Sequence, residues 1–283
     1  MVVALLARVL APALALLLPA LLLPARLPPP GAAAPSPGPA LTITVQGTIT
    51  SDEATGLVVG EGGVRLSDGT TEAQGDRIVL DRARGRAQLT GSPARVRSPG
   101  GTLSAREVEA HFTAARLTRI VARGAAALGL RRGTVRAETI TLVPGGEALT
   151  ASGGVRVTSP PDLVATGSAL AYAHGSGRLV LEGPVRLATA QGVVTGARLE
   201  GREGVEEATL SGGVVAQFNG ITARGQVLHL RARERVAVLA GDVYVRQGTR
   251  ELWSPRVTIY YGERRVVADG PTRLRLGGEA PEP

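Results

Sequence analysis

A glycine returns through this chain at a nearly constant interval. It stands at Gly62, Gly91, Gly124, Gly153, Gly183, Gly212, Gly241 and Gly270, with spacings of 29, 33, 29, 30, 29, 29 and 29 residues. A period of this length over most of a chain marks a fold built by repetition. Each glycine lies inside an alternating run. Leu179, Leu181, Gly183, Val185 and Leu187 share one phase, and so do Ala208, Leu210, Gly212, Val214 and Ala216. The opposite phase is largely polar, as at Arg178, Glu182 and Arg186. Period-two alternation over such a run means a β-strand with one buried face. The repeating glycine is expected at the centre of that buried face. Its bland role there is to relieve crowding where the strand folds over, and its functional one is to leave width for a ligand.

A second run follows in each repeat. It opens with short or apolar residues, as in Val164-Ala-Thr166 and Ile221-Thr-Ala223. It closes with an apolar pair: Ile78/Leu80, Ile140/Leu142, Leu170/Tyr172, Leu228/Leu230 or Val257/Ile259. The alternation changes parity between the two parts, and Gly75, Gly167, Gly196 or Gly225 stands at the change. A slip of one residue is what a bulge or strand corner produces, and glycine permits it. Segments of hairpin length and composition separate the runs: Arg82–Gly85, Pro144–Gly146, His174–Gly177 and Tyr261–Arg264. Residues 103–121, in the 33-residue repeat, are expected to form a strand pair with an insertion. Bent antiparallel strands stacked in this order give two half-sheets joined along a fold line, with their apolar faces opposed. About fifteen strands at roughly 4.8 Å spacing make an object on the order of 70 Å long with an apolar trough along it.

The composition agrees with an all-β reading. Aromatic residues make up only 2% of the 283 residues while 43% are hydrophobic, so the core is Val, Leu, Ile and Ala. No cysteine is present, which excludes disulfides, a thiol nucleophile and acylation at a cysteine.

Residues 2–25 are almost wholly apolar, with Arg8 as the one charge, and are long enough to span a bilayer. Pro12, Pro19 and Pro24 argue against a straight permanent helix, and Ala32-Ala33-Ala34 offers a small-residue cleavage site. The expected organisation is a signal peptide or membrane anchor over 1–34, a Pro-rich linker over 35–41, the repeat domain over 42–277 and a disordered tail over 278–283. Export by cleavage near residues 32–36 is the preferred reading, which puts the rest of the chain in the periplasm or an equivalent compartment; a retained leader would leave it anchored at the inner membrane.

All 32 basic residues are Arg, against 24 acids. Setting aside Arg8 and Arg26 leaves a balance of +6, which suits an anionic partner as well as a solvated surface. Nucleic acid is disfavoured, because stacking aromatics are scarce and the leader exports the chain. His111, His174 and His229 lie far apart in the repeat, and Asp76, Asp242 and Asp269 occupy different repeat positions, so no catalytic or metal-binding constellation is legible. Tyr260, Tyr261 and Trp253 cluster in the last full repeat, where end-of-core packing is the expected role.

The recurrent starts Gly62-Gly-Val-Arg-Leu66, Gly153-Gly-Val-Arg-Val157, Gly183-Pro-Val-Arg-Leu187 and Gly241-Asp-Val-Tyr-Val245 resemble the LptA/OstA-like family of lipopolysaccharide-transport proteins. Residues 221–230 are similar to the family's second strand, and the resemblance extends over roughly residues 42–276. It implies an elongated bent jelly roll of antiparallel strands, taco-like in section, that shields acyl chains in a groove and stacks end to end with similar β modules. It implies no catalysis and no cofactor. The lipid would be an anionic glycolipid such as lipopolysaccharide. The inward phase of the middle repeats supplies the expected lipid-binding residues: Val155, Val157, Leu170, Tyr172, Leu179, Leu181, Val185, Leu187, Leu210, Val214, Leu228 and Leu230. Arg65, Arg156 and Arg186 would at most steer the head group. Two other readings stay open, a ligand-free structural β-solenoid of the envelope and a membrane-anchored adaptor of the LptC type.

Overall fold

The computed structural model describes residues 42–276 except 68–70, 99–100, 114–115, 131–132, 144–147, 191, 203–206, 219, 232, 261–262 and 264. The expected leader, linker and tail lie outside those residues, as do the Pro144–Gly146 turn and most of the 261–264 turn. The chain divides into two compact units between Val155 and Arg156.

In the first unit the strands are β1 (Thr42–Val45), β2 (Thr48–Asp52), β3 (Leu57–Ser67), β4 (Glu72–Asp81), β5 (Arg86–Ser98), β6 (Gly101–Thr113), β7 (Arg116–Leu130) and β8 (Gly133–Val143). β9 (Ala148–Ser159) crosses the division. In the second unit they are β10 (Leu163–Ala173), β11 (Arg178–Thr189), β12 (Gly192–Arg202), β13 (Glu207–Phe218), β14 (Ile221–Arg231), β15 (Val236–Gln247), β16 (Arg250–Tyr260), β17 (Arg265–Asp269) and β18 (Arg273–Arg275). Antiparallel neighbours pair in sequence order from β3 to β8 and from β10 to β16. The eighteen strands among the described residues count as sixteen, against about fifteen expected, when the end strands that break at the bend are joined: β1 and β2 both pair with β3, and β17 and β18 both pair with β16. No α-helix occurs among the described residues, and none of their helices is long and apolar enough to cross a membrane. The all-β antiparallel jelly-roll character read from the repeat is what the chain adopts.

The bend is a one-residue bulge, and it sits on the odd-numbered strands of the second unit. Gly183 and Pro184 of β11 together face Ala197 of β12. Gly212 and Gly213 of β13 face Gln226 of β14, and Gly241 and Asp242 of β15 face Pro255 of β16. In the first unit Gly62 and Gly63 of β3 face Asp76 of β4. The leading glycine takes φ of +85° at Gly62, +83° at Gly212 and +83° at Gly241, a left-handed conformation that L side chains resist.

This corrects one expectation. The repeating glycines are not the centre of the buried face: Gly62, Gly153 and Gly212 are exposed. The glycines on the even strands are the crowded ones. A Cβ on Gly75, Gly167 or Gly225 would stand 2.8 Å from Cδ1 of Leu89, Leu181 or Leu239 respectively, and one on Gly196 would stand 2.8 Å from Cγ of Leu210. Leucine therefore fills the space beside each of these glycines. The parity change on the even strands holds: the buried residues of β14 are Ile221, Ala223 and Gly225, then Leu228 and Leu230. On β13 they keep one phase, Ala208, Leu210, Val214 and Ala216, because the bulge adds the compensating residue.

The 33-residue repeat is a strand pair, as expected. Its additional residues lengthen β6 and β7 and widen the bulge on β5, where residues 91–93 face Arg106 alone. The Arg82–Gly85 turn is held by Asp81, whose Oδ1 accepts from the backbone N–H of Arg84 at 2.9 Å. That bond, together with the Arg84 guanidinium, draws the Asp81 carboxyl below its ordinary value.

The bulge assigns different costs to adjacent glycines. A Cβ at Gly212 meets the Ala197 Cβ at 2.5 Å at φ +83°, whereas at Gly213, with φ +75°, nothing lies within 4 Å. Gly213→Ala should cost only the left-handed backbone, about 1 kcal/mol. Gly212→Ala adds a clash and should cost about 3 kcal/mol. Denaturant unfolding measures both, and equal losses would show that the bulge is not the tight point of the bend.

Candidate functional site

The inner face of the second unit is organised in cross-strand rows. One row runs Leu170, Leu181, Leu199, Leu210, Leu228, Leu239 and Val257, each directly opposite the next. These side chains are 1–6% exposed. Beside it Tyr172 pairs with Leu179, Ala208 with Leu230, and Ala237 with Ile259. Beyond the bulge the row continues as Ala165, Leu187, Val194, Ala216, Ala223 and Val245. Val185 and Val214 lie between, opposite Gly196 and Gly225. One sheet layer cannot bury both of its halves unless they cover each other, and no other layer exists among the described residues. The two halves of the bent sheet therefore close on one another, and the interior is mostly aliphatic, with Tyr172 and Phe218 as its buried aromatic residues.

Every residue expected to line this interior is buried. Val155 belongs to the first unit and Val157, with all the others, to the second. The register brings Leu170, Leu181, Leu210 and Leu228 into a single row. Sequence reasoning missed Leu199 and Val194, which share that burial. Leu199 escaped because its strand carries Gly201 where the other repeats have the second member of an apolar pair. The alternation around Leu199 and Gly201 was the signal available. The first unit repeats the plan with Ile78, Leu89, Val108, Ala122 and Ile140 in one row.

Charged groups lie outside this interior, and Ser254, opposite Val243, is a buried hydroxyl on its inner face. The three histidines are apart: Tyr172 Oη is 3.3 Å from His174 Nδ1, Thr209 Oγ1 is 3.0 Å from His229 Nδ1, and His111 Nε2 is 2.7 Å from Glu109. Glu109 is the one buried carboxylate with several cationic partners among the described residues, with Arg86 at 2.9 Å and Arg123 at 2.7 Å. Burial pushes its carboxyl up, but the Arg123 hydrogen bond and the charges of Arg86, Arg123 and His111 outweigh that and hold it below the ordinary value. Its partners Arg86, Arg123 and His111 make the cluster a tie between β5, β6 and β7. No group of His, Cys, Asp or Glu among the described residues is arranged to hold a metal. A recess of about 300 Å³ in the first unit is lined by Thr44, Gln46, Gly63, Val64, Arg65, Gln74 and Gly75. Thr44, Gln46, Arg65 and Gln74 make its walls unsuited to an acyl chain, whereas the apolar interior suits one.

Comparison with known proteins bears on the same region. Residues 221–280, which hold β14 to β18, match the family described as LptA/(LptD N-terminal domain) LPS transport protein. No curated protein sequence matches the chain. Among solved structures, one that matches is LptH, the LptA homologous periplasmic component of the lipopolysaccharide transport device from Pseudomonas aeruginosa. It shares 12% identity, over 70% of this chain and 99% of that one, and superposes poorly, with a TM-score of 0.19.

Proposed function

We infer that this LptA/OstA-like chain is a periplasmic lipopolysaccharide-transport protein that holds the acyl chains of its lipid between the two halves of its bent sheet. The observation that carries the reading is the unbroken aliphatic row from Leu170 to Val257. It overlaps the segment that matches the transport family. No charged side chain occurs in that row, so nothing in it opposes an alkyl chain. An acyl chain of a dozen carbons gains on the order of 10 kcal/mol on leaving water, at about 0.8 kcal/mol per methylene. The leucines that part to admit it exchange contacts with the opposite half-sheet for contacts with the lipid, so their own burial is nearly conserved. The transfer of the lipid then dominates affinity, and arginines at the rim contribute little to it.

The ends of the strand series favour a bridge over a solitary carrier. Ile49 on β2 is 55% exposed and Leu274 on β18 is 60% exposed. Each extends an inner row: Ile49 stands opposite Gly60 and then Ile78, and Leu274 stands opposite Leu252. Among the described residues β1 and β2 pair only with β3, and β17 and β18 only with β16. An apolar row that runs out at an unpaired strand is a template for another β module.

Two measurements separate these readings from a ligand-free scaffold. A photocrosslinking side chain placed at Leu181, Leu187 or Leu210 should capture lipid from the envelope, and one at Glu182, on the outer face before the bulge, should not. Capture only from the outer position would mean a closed core and no carrier. Light scattering should show association that grows with concentration, weakened by Ile49→Asp or Leu274→Asp. A chain that stays monomeric at every concentration would rule out the bridge.

A further inference from the structure

The outer faces of the two half-sheets carry charge in different ways. Before the bulge, three arginines of the second unit are neutralised: Arg178 meets Glu200 at 2.8 Å, Arg198 meets Glu182, and Arg231 meets Glu234 at 3.1 Å. Beyond the bulge the outer row reads Arg186, Thr195, Val215, Arg224, Tyr244 and Trp253, each opposite the next across β11 to β16, and Arg273 of β18 closes it. No carboxylate lies in that row. Arg246 is two residues from Tyr244 on the same face. Arg186, Arg224 and Arg246 are exposed, and none forms an ion pair among the described residues. The nearest acid, Glu251, is already engaged: Tyr244 Oη donates to it at 2.7 Å, and Arg275 stands 3.6 Å away. The first unit repeats the asymmetry on its own. Its outer row beyond the bulge contains Arg65, Arg95 and Arg136, and the one ion pair there is Arg65 with Glu72 at 3.0 Å.

The aromatic pair gives the face a second character. Tyr244 and Trp253 are half-buried, with ring centroids 5.5 Å apart, and the Arg273 guanidinium lies 5.3 Å from the Trp253 ring. Amphipathic rings set among guanidinium groups suit the head-group layer of a bilayer, where rings enter the interface and arginines meet phosphate. Oriented arginines outside ion pairs also keep their attraction for an anionic surface, whereas Arg178, Arg198 and Arg231 of the other half-sheet have spent theirs on neighbouring carboxylates.

The structure assigns to the outer face beyond the bulge, centred on Arg224, Tyr244 and Trp253 in the second unit, the role of docking on an anionic phospholipid surface. This surface is opposite to the aliphatic interior, so docking and acyl-chain capture can fail independently. The protein is tested as recovered from cells, by sedimentation with vesicles of phosphatidylglycerol and phosphatidylcholine or of phosphatidylcholine alone. Binding should require the anionic lipid and weaken with salt. Each of these arginines should contribute on the order of fivefold, so Arg186→Gln, Arg224→Gln and Arg246→Gln together should lower affinity roughly a hundredfold, while lysine at the same three positions should retain most of it. The matched control removes the same charge from the other half-sheet with Arg178→Gln, Arg198→Gln and Arg231→Gln, and should change affinity less than about threefold. Trp253 is the chain's single tryptophan, so its emission should shift to the blue on anionic vesicles. Equal loss in the two triple variants would reduce the effect to net charge and overturn the assignment. Unchanged binding of the ladder variant, unchanged Trp253 emission in the bound protein, or binding confined to a soluble polyanion such as heparin would overturn it as well.

Discussion

In β3, β11, β13 and β15 the strand carries one residue more at the bend than the even-numbered neighbour that follows it, and that surplus, led by a glycine at positive φ, turns a flat antiparallel ribbon into a bent one. Without it a strand as long as β13 would present a single plane, and half of its aliphatic side would face water. With it, the row led by Leu181 and the row led by Leu187 come to lie on the two inner faces of one fold line. The even strands accept the bend by a different route. They insert nothing, change parity, and on β4, β10, β12 and β14 place glycine where the neighbouring leucine must pass. Both columns of glycine are therefore steric requirements of one corner, and neither leaves vacant width.

This corner also decides what the interior can do. A row of leucines with 1–6% exposure suits a rigid scaffold as well as a carrier if burial alone is considered. The difference lies in how the core is closed. The two halves of the sheet are continuous only through the backbone of the bend, and what holds their free sides together is contact between Leu, Val, Ile and Ala. Such contact is non-directional and can be exchanged for contact with an alkyl chain at little cost, whereas cross-strand hydrogen bonds cannot. The strand ladder and the outer ion pairs, such as Arg178 with Glu200, can thus persist while the interior changes its occupant.

The repeat, the strand character and the inward phase were legible because alternation and a fixed period are direct consequences of pleat and stacking. The lining from Leu170 to Leu230 emerged from phase alone. The place of the glycine did not. Sequence shows that Gly183 falls in phase with Leu181 and Val185, but the phase is preserved only because Gly183 and Pro184 form the bulge, and a pattern of apolar residues cannot reveal an inserted residue that keeps the pattern intact. Leu199 was lost for a related reason, since Gly201 interrupts the pair that would have announced it. The charge asymmetry of the outer face was hidden more deeply. Arg186 and Arg224 belong to strands of opposite type and different repeat position, and only the register of β11 to β14 sets them in one row. Glu109 likewise became visible as a cluster only when β5 and β7 were placed beside β6.

The central claim is that the aliphatic interior takes up lipid acyl chains. Native mass spectrometry of the protein recovered from its own envelope, without delipidating detergent, tests it most directly. The account predicts a folded chain carrying the additional mass of an acylated glycolipid, released on unfolding and lost in a Leu181→Arg variant that still folds by circular dichroism. A folded wild-type chain that flies at its bare mass, from an envelope rich in such lipid, would contradict it.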